Sequence, residues 1–188
     1  MILTNQLHIK SLLLNQKASH SRIFKYGYTN GVIMICLLGP LIEEGIFRLW
    51  LSFDKRHIAI SISILCYVAM GNKWPINFHT YQIYLEIILA GFIFLISNKV
   101  LEYKNGLIIH FFQSNTSKIY IMSILLFGLV HISNFKPIHY NLFYIYPIFV
   151  IPQIIMGYFL TNLRVKSGFI WAVLLHILIN TTSVLLFL

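Results

Sequence analysis

"LLGPLIEEGIFRLWL", residues 37–51, places two adjacent glutamates and an arginine inside an otherwise oily run. A charged side chain near the centre of a bilayer costs on the order of 2.5–3.5 kcal/mol even on mild insertion scales. Two side by side therefore need a reason. The chain is also short of acids: only 5 Asp and Glu occur in 188 residues. Glu43, Glu44 and Glu86 all fall in apolar segments. Arg48 follows Glu44 by four positions, which on a helix puts the two on one face within pairing reach. Glu43 then points about 100° away and is free to face something else.

The surrounding composition says what kind of chain this is. Hydrophobic residues make up 58% and charged residues 10%, against about 45–50% and roughly a quarter in soluble domains. Apolar runs near the ~20 residues that cross a bilayer recur along the chain. The pattern predicts an all-α, polytopic transmembrane helical bundle of about six spans. They run about Tyr28–Leu51, His57–Met70, Thr80–Val100, Ile119–Ile132, Tyr140–Leu163 and Gly168–Leu188. Residues 1–27, with scattered Leu and Ile among Lys10, Lys17, Arg22 and Lys25, suit an amphipathic segment at the membrane interface. No repeat or linker divides residues 28–188, so one membrane domain is expected.

The net charge of +9 is spread over short loops and the N-terminal segment, with no basic stripe. Lipid headgroups, rather than nucleic acid, are the expected partner. Six crossings put both termini on one side, and the basic residues nearly balance across the membrane. Charge alone therefore does not set the orientation. Cys36 and Cys66 lie in apolar spans without a CxxC or a zinc spacing, and read as small apolar fillers.

Two further spans carry polar residues. "FGLVHISNF", residues 127–135, sets Phe127 and His131 four apart, and "LLHILINTT", residues 174–182, does the same for His176 and Asn180. Three helices can thus aim polar groups at one interior site, because hydrocarbon offers them no hydrogen-bond partner. Interhelical glue is the bland reading of any one pair. The full set of Glu43, Glu44, Arg48, His131, His176 and Asn180 suits chemistry better. Phe127 reads as packing beside His131, and Glu86, without an evident partner, stays outside the site.

A carboxylate and imidazoles in a partly dry cavity can activate water, and attack on a peptide carbonyl would create an oxyanion for His176 and Asn180 to hold. Other intramembrane protease chemistries fail on the residues. HExxH is absent, Asp54 is the only aspartate, and no GxSxG occurs. Glutamate-assisted attack by water is what is left.

"EEGIFR", "FGLVH" and "HILIN" resemble the EExxxR, FxxxH and HxxxN motifs of the CAAX prenyl protease and bacteriocin-processing family, also called abortive-infection proteins or type II CAAX prenyl endopeptidases. The likeness covers roughly residues 35–188 with gaps, and continues through Pro152, Gln153, Gly157, Arg164 and Gly168. It implies an intramembrane endopeptidase acting on a peptide or a lipidated protein, in a bacterial plasma membrane. Glu43 would be the general base, with His131 orienting the water, Glu44 and Arg48 shaping the site, and His176 and Asn180 stabilising the oxyanion. The family has been labelled metalloprotease, and Glu43, His131 and His176 could bind zinc as a His₂Glu set. A metal-free site is preferred, since the Glu44–Arg48 pair puts a competing cation nearby. The rival classes are a non-catalytic protein of the same fold in peptide-toxin immunity or scaffolding, and a small transporter. Against the transporter, no internal repeat appears. Pro147 and Pro152 are expected to bend the fifth span, opening a side entrance for substrate. Oligomeric state has no signal.

Overall fold

A computed structural model describes residues 27–70, 81–135, 138 and 140–187. The proposed N-terminal amphipathic segment lies outside these residues, save Gly27. No strand occurs among the described residues. The chain runs through α1 (Tyr28–Ile33), a π-helical turn (Met34–Leu38), α2 (Gly39–Phe47), a 3₁₀ turn (Leu49–Ser52), α3 (Lys55–Ala69), α4 (Tyr81–Tyr103), α5 (Asn105–Ser114) and α6 (Thr116–Val130). A 3₁₀ turn at His131–Asn134 and another at Tyr140–Ile145 lead into α7 (Tyr146–Phe149), α8 (Ile151–Ser167) and α9 (Phe169–Phe187).

Four helical segments are long and apolar enough to cross a membrane: Tyr28–Phe47, Tyr81–Tyr103, Thr116–Asn134 and Phe169–Leu186. The pair Phe143–Phe149 and Ile151–Ser167, bent by 45°, makes a fifth if counted as one span. This is an integral membrane protein. The predicted count of six exceeds this by the segment at His57–Met70. That segment is α3, whose 15 residues rise about 22 Å and fall short of a ~30 Å hydrocarbon core.

Local chemistry sets the boundaries. Asp54 caps α3 by accepting from the backbone N–H groups of Arg56 and His57, at 2.8 and 3.3 Å. The preceding Phe53 turns the chain in the left-handed region, φ 59°. The break in the fifth predicted span falls at Val150, and Pro147 and Pro152 each sit in the first turn of the helix after a break. Their missing N–H groups cost nothing there, so the prolines start two helices rather than kink one. Val150 is itself buried with Phe135 and Tyr146 in a small core that Phe149 and Ile154 complete.

The core sits where α2, α6, α8 and α9 meet. Two glycines let α6 and α8 close on one another. A methyl group at Gly128 would overlap the Ile154 side chain, and one at Gly157 would stand 3.3 Å from the carbonyl oxygen of Ile124. Close approach at small residues is how membrane helices gain packing where lipid supplies no hydrophobic drive. By contrast α4 packs on α3 and leaves Phe92, Leu95, Ile96 and most of its length exposed, as a lipid-facing surface would be.

Candidate active site

The site is built on the end of α2. Glu44 and Arg48 are both fully buried, and Arg48 Nη1 donates to Glu44 Oε1 at 2.7 Å. The same oxygen accepts from His176 Nδ1 of α9 at 2.9 Å. On the other side the Arg48 guanidinium lies over the Phe127 ring of α6, 3.8 Å from its centroid.

Glu43 faces a different space. Its side chain is 33% exposed, and Oε2 stands 3.7 Å from Nε2 of both His131 and His176. His131 is 14% exposed and His176 only 1%, so the opening lies on the Glu43–His131 side. The first turn beyond α6 turns His131 back so that its Nδ1 bonds the Phe127 carbonyl at 2.7 Å. A carbonyl only accepts, so that nitrogen carries the hydrogen; the same holds for His176 Nδ1 against the Glu44 carboxylate. Both imidazoles therefore turn Nε2 toward Glu43.

At 3.7 Å these contacts are too long for direct hydrogen bonds. Three acceptors around one spot would suit a small donor of two hydrogens such as water. Among the described residues no three His, Cys, Asp or Glu side chains are arranged to hold a metal ion. The chemistry proposed below for the site is built from its side chains and water.

Asn180 enters differently from expectation. Its Nδ2 donates to the backbone carbonyl of Ile35, in the π turn before α2, at 2.9 Å. Five of the six predicted residues thus come together on the α2 end, the α6 end and α9, whereas Asn180 is tied to backbone.

Sequence reasoning gave no role to the residues that hold α2 in place. The last carbonyls of a helix have no intrahelical donor. Ser61 of α3 donates to Gly45 O at 2.7 Å, Ser123 of α6 to Phe47 O at 2.6 Å, and Arg164 Nε of α8 to Arg48 O at 3.1 Å. Three helices each supply one donor to the end of the Glu-bearing helix. A signal was present: serines in apolar spans must find an acceptor inside the bundle. Glu86, left outside the site, is buried on α4 with Gln82 Nε2 3.3 Å from its Oε1.

The helical membrane bundle is a fold of the CAAX-type intramembrane protease class. The chain belongs to the Rce1-like family of type II CAAX prenyl endopeptidases, whose family model matches residues 27–182. No curated protein and no solved structure matches it.

Proposed function

We propose that the protein is an intramembrane endopeptidase in which Glu43 and His131 activate water against a peptide carbonyl. The observation that carries this reading is the convergence of both Nε2 atoms on Glu43 Oε2 at 3.7 Å, on the exposed side of a buried ion pair.

A water between Glu43 and His131 would give one hydrogen to Oε2 and the other to Nε2, leaving a lone pair for attack. As the C–O bond forms, Glu43 takes the proton. His176 Nε2, 3.7 Å from the same oxygen, has to close that gap to receive it, while Nδ1 stays on Glu44. The Nε2–H so formed then faces the oxyanion. Collapse breaks the C–N bond, the amine leaves with that proton, and the carboxyl product remains. Glu44 and Arg48 do no chemistry here; they fix the His176 ring and the α2 end.

The family name points to prenylated protein C-termini as one substrate class, and an unmodified membrane-bound peptide is the other. Purified protein in detergent, given farnesylated and unmodified fluorescence-quenched peptides, tests both. Wild type should cleave at least one, and Glu43→Gln and His131→Ala should lose cleavage while staying folded. Equal turnover by Glu43→Gln would sink the base assignment. A folded wild type that cleaves neither set would favour a non-catalytic role in peptide-toxin immunity. The bacterial plasma membrane is the setting this reading expects.

A further inference from the structure

We propose that Thr161 is a positioning residue which, through one buried water molecule, holds the free edge of the Arg48 guanidinium. This inference rests on the peptidase reading only for its activity arm.

A guanidinium is planar and carries five N–H bonds in a fixed fork. Nη1 of Arg48 is engaged by Glu44. The edge away from Nη1 carries the Nε–H and one Nη2–H side by side, aimed the same way. Both nitrogens are buried, and neither has a hydrogen-bond partner among the described residues. Unmet hydrogens on a buried cation are costly, so this edge needs an oxygen.

The neighbouring α8 offers one at the reach of a water. Arg48 meets α8 at two levels. Its carbonyl accepts from Arg164 Nε at 3.1 Å, and its Nη2 stands 3.3 Å from where a methyl on Gly157 would be. Thr161 lies between the two, four residues after Gly157 and three before Arg164, on the same face of the helix. It is 3% exposed, and its Oγ1 has no hydrogen-bond partner among the described residues. Side chains one turn apart on a helix stand about 5–6 Å from each other. Two hydrogen bonds of about 2.8–3.0 Å that meet at one water oxygen cover that separation.

The chemistry selects water over an ion. Glu44 already balances the charge of Arg48, so an anion in the fork would add an unpaired charge to a site that holds two glutamates. A cation there would meet Arg48 itself. Water accepts both fork hydrogens on its oxygen and returns a hydrogen to Thr161 Oγ1. Held in this way, Arg48 keeps Nη1 on Glu44 Oε1, and the same oxygen keeps His176 Nδ1 in place. Thr161 steers the imidazole without touching it.

Thr161→Val keeps the shape and removes the hydroxyl, and the sign of its effect is the test. It takes the acceptor from the bridging water, so the melting temperature in detergent should fall by about 2–4 °C. A buried hydroxyl that bonds nothing is better replaced by a methyl, so an unchanged or raised melting temperature would overturn the proposal. In the Glu44→Leu, Arg48→Met background the same substitution should cause no loss. An equal loss there would assign the hydroxyl another partner and overturn the proposal as well.

A second measurement needs neither turnover nor that background. Phe47–Arg48 is the only Phe–Arg pair in the chain, so ¹³C-carbonyl phenylalanine with ¹³C,¹⁵N-arginine picks out Arg48 by NMR and, along its side chain, Nε. The Nε–H should show cross-relaxation with water in wild type and in Thr161→Ser, and lose it in Thr161→Val. A wild type without that signal would overturn the proposal. In the activity arm, Thr161→Val should lower kcat by up to about 10²-fold, as displacing a catalytic group by about 1 Å does, and Thr161→Ser should restore most of it. Unchanged kcat in Thr161→Val, beside an active wild type, would overturn the positioning role. A wild type that cleaves nothing, yet shows the water signal, would sink the peptidase reading and leave the bridge standing.

Discussion

The guanidinium of Arg48 lies over the ring of Phe127, its Cζ 3.8 Å from the centroid, while its Nη1 is paired with Glu44. The same ring meets His131 at 4.8 Å and His176 edge-on at 5.7 Å between centroids. One phenylalanine thus touches three of the polar residues of the site. Its face gives the buried cation a partner for its charge, worth about 2 kcal/mol where both are desolvated. Phe127→Ala should destabilise the protein by about 3–5 kcal/mol, the usual cost of emptying a buried aromatic site. Phe127→Leu should cost less, and thermal unfolding in detergent would read both. A wild-type melting temperature in Phe127→Ala would refute the supporting role.

The adjacent glutamates should fail in opposite ways. Glu43 is partly exposed and bonded to no cation, so Glu43→Gln should leave stability near wild type. Glu44→Gln strands Arg48 without its counter-charge in a fully buried position. Breaking a buried pair from one side typically costs about 3–5 kcal/mol, whereas replacing both partners by apolar residues is often near neutral. Glu44→Leu and Arg48→Met should therefore each destabilise strongly, and together cost clearly less than their sum. A double-mutant cycle on unfolding free energy measures the coupling. Additive losses would mean that the pair does not act as one unit.

The sequence showed the fold class and the Glu44–Arg48 pair plainly, because each rests on local spacing. A glutamate and an arginine four apart in an apolar run have little choice but to pair, and 18–23 apolar residues announce a span. What stayed hidden depends on which helix meets which. Ser61 and Ser123 look like chance polar residues until α2 ends at Phe47 and needs donors for its last carbonyls. Asn180 shared a motif with His176, but its partner is the backbone carbonyl of Ile35 on another helical segment. No spacing within α9 could reveal that. The short α3 entered the count of spans, though its apolar run was already short, because hydropathy counts apolar residues and not the reach of the helix they form.

Gly157 gives a prediction with its own control. A methyl there would meet Phe127 Cδ1 at 3.1 Å and Arg48 Nη2 and the Ile124 carbonyl at 3.3 Å each. The carbonyl belongs to α6 backbone and cannot rotate away, so α6 and α8 must part. Gly157→Ala should cost about 1–3 kcal/mol, as overpacking does, and should reduce cleavage by moving Arg48. Gly106, in the first turn of α5, has nothing within 4 Å of the same methyl position. Gly106→Ala should be neutral or stabilising by about 0.5–1 kcal/mol. Equal melting temperatures for the two variants would count against a tight α6–α8 crossing.

Metal dependence follows from which groups remain free once a job is assigned to each. A His₂Glu zinc site would use Glu43, His131 and His176 as ligands, and zinc peptidases need a further carboxylate to take the proton from the metal-bound water. The other acid at hand is Glu44, which is fully buried and engaged by both Arg48 and His176 Nδ1. Zinc bound in this way would leave no base, whereas without metal Glu43 serves as the base itself. Cleavage should therefore survive incubation with a membrane-compatible chelator, and elemental analysis of active protein should find metal far below one ion per chain. Chelator-sensitive turnover, restored by zinc and lost with binding in His131→Ala, would reverse the assignment and turn Glu43 from base into ligand.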